Sequence, residues 1–241
     1  MNSKKVKTLH RGYRQENNRG KIVFAVIMTI LFVVIMYFGI RIFAIRNSEE
    51  FNMDKLSVYY VYESESANTS NITDDYINYK IIVVDGQKRV VHIIDIPSKL
   101  YVFSKRLSIS DTEPYKIPII FSELLELKSS YNYTILLKKD YLKKTGVKDI
   151  ETFVQEYSKR GLSIVDYFTI RSQLEALRPE SVITEASLAK LYNALGKFNI
   201  RKHVIPTITK SPMKITVGDK VYVRIYADEE KFEQLRKNLS E

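Results

Sequence analysis

YKIIVV (79–84), DGQK (85–88) and RVVHIID (89–95) follow one another without a break. Two β-branched runs around an Asp-Gly pair are the pattern of a hairpin. A strand with one wet face alternates apolar and polar residues, whereas these two runs are apolar at nearly every position. They therefore read as central strands covered on both faces by helices. This predicts an α/β fold with a mixed β-sheet flanked by helices.

Downstream, KLYVFS (99–104) follows Pro97 and reads as a continuation of the same sheet. IIFSELLELKS (119–129) has helical spacing, and YNYTILL (131–137) is a strand. Asp140 is placed to cap a short helix that stops at Gly146, and Asp149 opens a second that ends at Gly161. LSIVDYFTI (162–170) reads as a further strand. Thr184 caps TEASLAKLYNALGK, with Leu188, Leu191 and Leu195 on one stripe and Gly196 after it. Residues 202–209 and 214–226 read as strands, the latter folded at Gly218-Asp219, and 228–239 as a C-terminal helix. Upstream, LSVYYVYE (56–63) is a strand inside a stalk expected to span 46–75, ahead of an outer domain at 76–241.

Residues 22–40, IVFAVIMTILFVVIMYFGI, carry no charge, and apolar character resumes after Arg41 up to Ile45. Thirteen of the nineteen are Ile, Val, Leu or Phe, which favours insertion by about 4–8 kcal/mol. Such a length matches a hydrocarbon core of roughly 30 Å. No small-x-small cleavage site follows it, so the segment reads as a single transmembrane helix at 22–45. Lys4, Lys5, Lys7, Arg11, Arg14, Arg19 and Lys21 precede it, so the positive-inside rule makes 1–21 a cytoplasmic tail and the following domain extracytoplasmic. The expected location is the cell membrane, single-pass, with the bilayer as first partner.

The net charge of +10 belongs to this region: residues 1–46 carry +8 and the remaining 195 only +2. The outer part therefore lacks the basic surface that nucleic acid requires. Absence of cysteine excludes disulfides, thiolate metal sites and cysteine nucleophiles. His10, His92 and His203 are scattered without carboxylates at metal-ligand spacing, and no glycine-rich phosphate loop, Gly-x-Ser-x-Gly or His-Glu-x-x-His occurs. The residues themselves thus name no catalytic group, no metal ligand and no cofactor.

A basic tail, one membrane helix and an outer α/β domain is a layout that resembles the LytR–CpsA–Psr cell-envelope family. KRVVHIIDIPSKLYV (88–102) is similar to that family's strand and Ser-Ile-Pro-Arg-Asp-Thr loop, with Ile96-Pro97 matching outright. YLKKTGVKDI (141–150) is similar to its Leu-x-x-x-Gly-Gly-Val stretch, and SQLEALRPESVITEASLAKLYNALGKF (172–198) to its later arginine-bearing segment. Together these cover about 76–205. The resemblance implies transfer of glycopolymers from polyprenyl-pyrophosphate carriers to the cell wall, with arginines on the pyrophosphate and acidic residues holding Mg²⁺. Here Ser98 and Lys99 stand where the loop's Arg and Asp belong, and Thr145 replaces one paired glycine. Lys99, Arg171, Arg178 and Arg201 are the cations the resemblance offers for phosphate or pyrophosphate. The expectation is a domain that binds or positions a polyprenyl-linked glycopolymer or an envelope protein without catalysing transfer. Mg²⁺ enters only if the chain is an active phosphotransferase; a division or secretion adaptor is the further alternative.

Overall fold

A computed structural model describes residues 18–63 and 78–240. The basic tail up to residue 17 and the polar loop 65–75 lie outside the described residues. The first element, α1 (Asn18–Arg46), is long and apolar enough to cross a membrane, with a mean hydropathy of 2.8 over its most apolar window. Its last turn serves the folded unit, which begins at Ile42. Ile45 is buried in that unit's core and Ile42 packs on the same cluster. The span from 22 to 41 that remains is still about 30 Å at 1.5 Å per residue.

The main sheet has the order β6-β1-β2-β3-β7, built from β1 (Ser57–Glu63), β2 (Asn78–Asp85), β3 (Val90–Pro97), β6 (Tyr131–Leu137) and β7 (Asn199–Val204). β2 runs antiparallel to both β1 and β3, while β6 joins β1 and β7 joins β3 in parallel, so the sheet is mixed as the sequence predicts. The hairpin is in the expected register, from Asn78 opposite Pro97 to Asp85 opposite Val90.

Both faces of β1–β3 are buried, and period-two alternation sorts their side chains. Tyr59, Val61, Ile82, Val84, Val91 and Ile93 meet four helices: α3 (Lys139–Thr145), α4 (Ile150–Arg160), α5 (Ile164–Leu177) and α6 (Glu185–Lys197). Val58, Tyr60, Ile81, Val83, Ile94 and Ile96 meet α2 (Ile117–Leu124), α7 (Phe232–Ser240) and a second sheet. That sheet, β5-β4-β9-β8, contains β4 (Leu100–Val102), β5 (Leu107–Ser108), β8 (Met213–Val217) and β9 (Lys220–Tyr226). Residues 99–104 therefore do not extend the first sheet. After Pro97, a proline with no N–H for the ladder, the chain crosses to the second. One face of the main sheet is accordingly covered by sheet as well as helix.

Two further expectations are corrected. β1 is not part of a stalk: it lies between β6 and β2, and Val58 through Val61 are essentially inaccessible. The segment before it is fixed too, because the Lys190 ammonium on α6, itself buried, donates to Asn52 O at 2.7 Å, Lys55 O at 2.6 Å and Ser57 Oγ at 2.8 Å. Gly86 closes this packing, since a Cβ there would lie 1.6 Å from Met53 O. Residues 162–170 are not a strand either, but the start of α5. Ser163 Oγ accepts from the Asp166 N–H while Asp166 accepts from Ser163, a capping box. Tyr167, Ile170, Leu174 and Leu177 then recur at helical spacing on the buried face. The β-branched Ile164 and Val165 that suggest a strand are on its outer face.

Asp149 and Thr184 cap α4 and α6, each in a capping box. Gly146 stops α3 at a positive φ of 72°. Asp140 falls in the first turn of α3, whose N-cap is Lys138. Gly196 is inside α6 rather than beyond it. A Cβ on Gly196 would come within 2.2 Å of Gly161 Cα, so the two glycines let α4 and α6 meet backbone to backbone. Just beyond that contact, the Tyr157 and Tyr192 rings stack at 3.6 Å. Helix propensity alone favours Gly196→Ala by about 1 kcal/mol. The clash reverses the sign, and the substitution should destabilise by about 1–3 kcal/mol net. Leu191→Ala, at a fully buried position, should cost about 2–5 kcal/mol. Chemical denaturation of the two variants checks both values; a Gly196→Ala protein as stable as the parent would mean that α4 and α6 part without cost.

Candidate functional site

The four cations singled out in the sequence sit at four places in the fold, two of them along α5. Lys99 is in the turn between β3 and β4, half-buried, where its carbonyl accepts from Ile225 N–H at 2.9 Å. Arg171 is on the outer face of α5 and pairs with Glu175 one turn on, at 3.5 Å. Arg178 caps the C-terminus of α5, its side chain exposed and its carbonyl accepting from Lys138 Nζ. Arg201 is exposed on β7, the edge of the main sheet. None of the four lines any of four clefts formed among the described residues.

Of those clefts, one of about 450 Å³ combines cations with hydroxyl groups, with Lys144, Arg160, Asp166, Thr169 and Gln173 on its wall. Its cations are already engaged. Arg160 donates to Asp166 at 2.7 Å, lies 3.2 Å from Glu156, and stands over the Tyr157 ring at 4.5 Å. Lys144 donates to Ser172. An anion binding Arg160 would have to displace a carboxylate, whereas Lys144 holds only neutral oxygens.

A charged cluster does form where β2, β3 and α4 meet. Lys80 pairs with Asp95, its cross-strand neighbour, and with Glu151 at 3.0 Å, while Lys202 reaches Glu151 at 2.9 Å. Burial works against the Lys80 ammonium, but the two carboxylates outweigh it and hold its pKa above the ordinary value. Hydrogen bonds from Lys202 and Lys80 hold Glu151 below its own. Among the described residues no three His, Asp or Glu side chains gather into a metal-binding group. Asp95 and Glu151 are thus neutralised by lysines, and this cluster does not fit a Mg²⁺ site.

The histidines that look unrelated in sequence are brought together. β7 pairs with β3 in parallel, and His92 Nδ1 lies 3.0 Å from His203 Nε2. One ring must donate and the other accept, so the contact requires at least one neutral imidazole. His92 is 1% exposed, and its Nε2 has no partner among the described residues. Burial first, then the charges of His203 and Arg201, push its pKa down to about 4. Only the parallel register of two distant strands produces this pair, and no local signal announces it.

Against known proteins, no family model and no curated sequence matches the chain. Solved structures do. The crystal structure of the transcriptional regulator yvhJ from Bacillus subtilis is 11% identical, with 78% of this chain and 96% of that one covered and a TM-score of 0.50. The Lin1025 protein from Listeria innocua is 15% identical, covering 78% and 97%, at 0.49. The LytR-CPS2A-psr family protein YwtF (TagT) with bound octaprenyl pyrophosphate lipid is 10% identical, covering 81% and 93%, at 0.41. At such identity the likeness to yvhJ shows a shared fold and no more. The looser overlaps carry no residue across.

The His92 shift has a consequence for stability. Its folded pKa of about 4 lies below the ordinary 6.5, so between these values the unfolded chain binds the extra proton. Stability is therefore fully present above about pH 6.5 and falls as pH drops toward 4, by an amount on the order of 3 kcal/mol. Urea midpoints at pH 7 and pH 4.5 should separate less in His92→Gln than in the parent. Equal separations would place the sensitivity in other groups.

Proposed function

We propose that this chain is a membrane-anchored protein of the cell envelope, N-terminus cytoplasmic. Its extracytoplasmic domain is LytR–CpsA–Psr-like and binds or positions a polyprenyl-linked glycopolymer or an envelope partner, without transferring it. The anchor reading is supported by α1, and the family reading by the segments at 88–102, 141–150 and 172–198 on an α/β frame. The observation that carries the non-catalytic reading is the dispersal of the cations. Pyrophosphate transfer needs charged donors converging on one leaving oxygen, and a bidentate arginine fork within about 3 Å of the phosphate oxygens. Lys99, Arg171, Arg178 and Arg201 stand on a turn, a helix face, a helix end and a sheet edge.

The adaptor reading has its own observation. β8 is the outer strand of the second sheet, and Met213, Val217 and Val221 on its hairpin with β9 are exposed. An open strand edge with apolar side chains is a surface on which a partner can add a strand.

Purified full-length protein mixed with a polyprenyl pyrophosphate and Mg²⁺ or Mn²⁺ should release no phosphate. Arg171→Ala, Arg178→Ala and Arg201→Ala should leave any lipid binding unchanged. Metal-dependent turnover abolished by one of these substitutions would reinstate the phosphotransferase. Protease added to spheroplasts should digest the folded domain and spare the tail, and a protected C-terminus would overturn the topology.

A further inference from the structure

The first turn of α5 presents Ile164 and Val165 outward, 69% and 64% exposed. Isolated apolar residues on a surface need no explanation. What distinguishes these two is the residue beside them. Tyr167 turns inward, and its hydroxyl accepts from Arg46 Nε at 2.9 Å, with the guanidinium 5.7 Å from its ring. Arg46 is the last residue of α1, and Ile45 before it is buried in the same core cluster as Tyr167 and Ile170. The start of α5 thus grips the point where the chain emerges from its apolar helix. Lys159 and Arg160, both exposed, end α4 just ahead of it. On α5 itself the outer face turns polar only later, at Arg171, Ser172 and Glu175. Apolar side chains flanked by cations with long alkyl stems match the boundary between acyl chains and headgroups.

We propose that Ile164 and Val165 insert into the headgroup boundary of the bilayer that α1 crosses. The outer domain then has a second membrane contact beside its anchor. The inference rests on the anchor reading, and bilayer lipid is its single occupant. Net charge in the neighbouring cleft is balanced, Lys144 and Arg160 against Glu156 and Asp166, so the contact is apolar rather than specific for anionic lipid.

The chain has no cysteine, so single cysteines introduced into the full-length protein can each carry an environment-sensitive fluorophore. Ile164→Cys and Val165→Cys should be quenched in proteoliposomes by lipids with a nitroxide near the headgroup. Aqueous iodide should quench them about threefold less than Phe103→Cys, as interfacial burial requires; Phe103 is an exposed residue on the β4–β5 turn. Iodide quenching equal to that at Phe103 would put the surface in water. Shielding from iodide without lipid quenching would mean that a protein covers it. Either result overturns the proposal. Val33→Cys, within α1, reports on the anchor separately, with lipids that carry the nitroxide deep in the acyl chain: if these fail to quench it, the anchor reading fails as well, and if they quench it while Ile164→Cys and Val165→Cys escape the headgroup probe, only this inference does.

Discussion

The Lys190 ammonium holds the domain to the chain that leads into it. Three N–H donors meet three acceptors, two backbone carbonyls at Asn52 and Lys55 and the Ser57 hydroxyl, with no carboxylate in the set. Its valence is therefore complete without a counter-ion, which is the condition for keeping a charge in a core. Burial and the neighbouring Lys55 still push its pKa down to about 8, so the charge is retained at neutral pH at a cost. That cost is offset by what it fixes: the last turns before β1 cannot swing free, and β1 enters the sheet at Ser57 in register with both Tyr131 and Val84. The strand set there is the one that joins β6 to the β2–β3 hairpin.

Burial of β1, β2 and β3 on both faces also decides where chemistry is possible. On the helical side the space is filled by Tyr141, Phe153, Tyr157 and Tyr192, all essentially inaccessible. The hydroxyls form a chain, Tyr141 to Tyr192 at 2.5 Å, Tyr192 to Gln173 at 2.8 Å and Gln173 to Thr169 at 2.9 Å. Burial raises the pKa of each buried phenol, so these hydroxyls act as neutral hydrogen-bonding groups. Charge is displaced to the ends of strands and the outer faces of helices, where Lys80, Asp95, Glu151 and Lys202 satisfy one another.

What the sequence discloses follows from the range of the forces involved. The 79–95 hairpin, the Asp149 and Thr184 caps and the Gly146 stop are local, and each is legible in a few residues. The 162–170 segment misleads because Ile164, Val165 and Tyr167 have strand character. Only the Ser163–Asp166 box and the period continuing to Leu177 reveal a helix. The transfer of 99–104 to a second sheet, the entry of β1 into the first and the His92–His203 contact all depend on strands far apart in sequence. No spacing rule reaches them. The candidate cations are hard to judge from sequence for a related reason: a motif supplies residue types, but convergence on a ligand is a property of the assembled sheet and helices.

Electrostatics alone does not compensate for that dispersal. The chain beyond residue 46 carries a net charge of only +2, and the ion pairs of Arg160, Arg171 and Lys80 take up cations that could otherwise gather an anion. Exposed single charges separated by more than about 10 Å are screened from one another at ordinary ionic strength. Exposed apolar side chains offer another kind of contact. Surfaces that offer it include the open β8 edge and the first turn of α5. The former is suited to a protein strand. The latter adjoins Arg46, the last residue of the apolar helix α1.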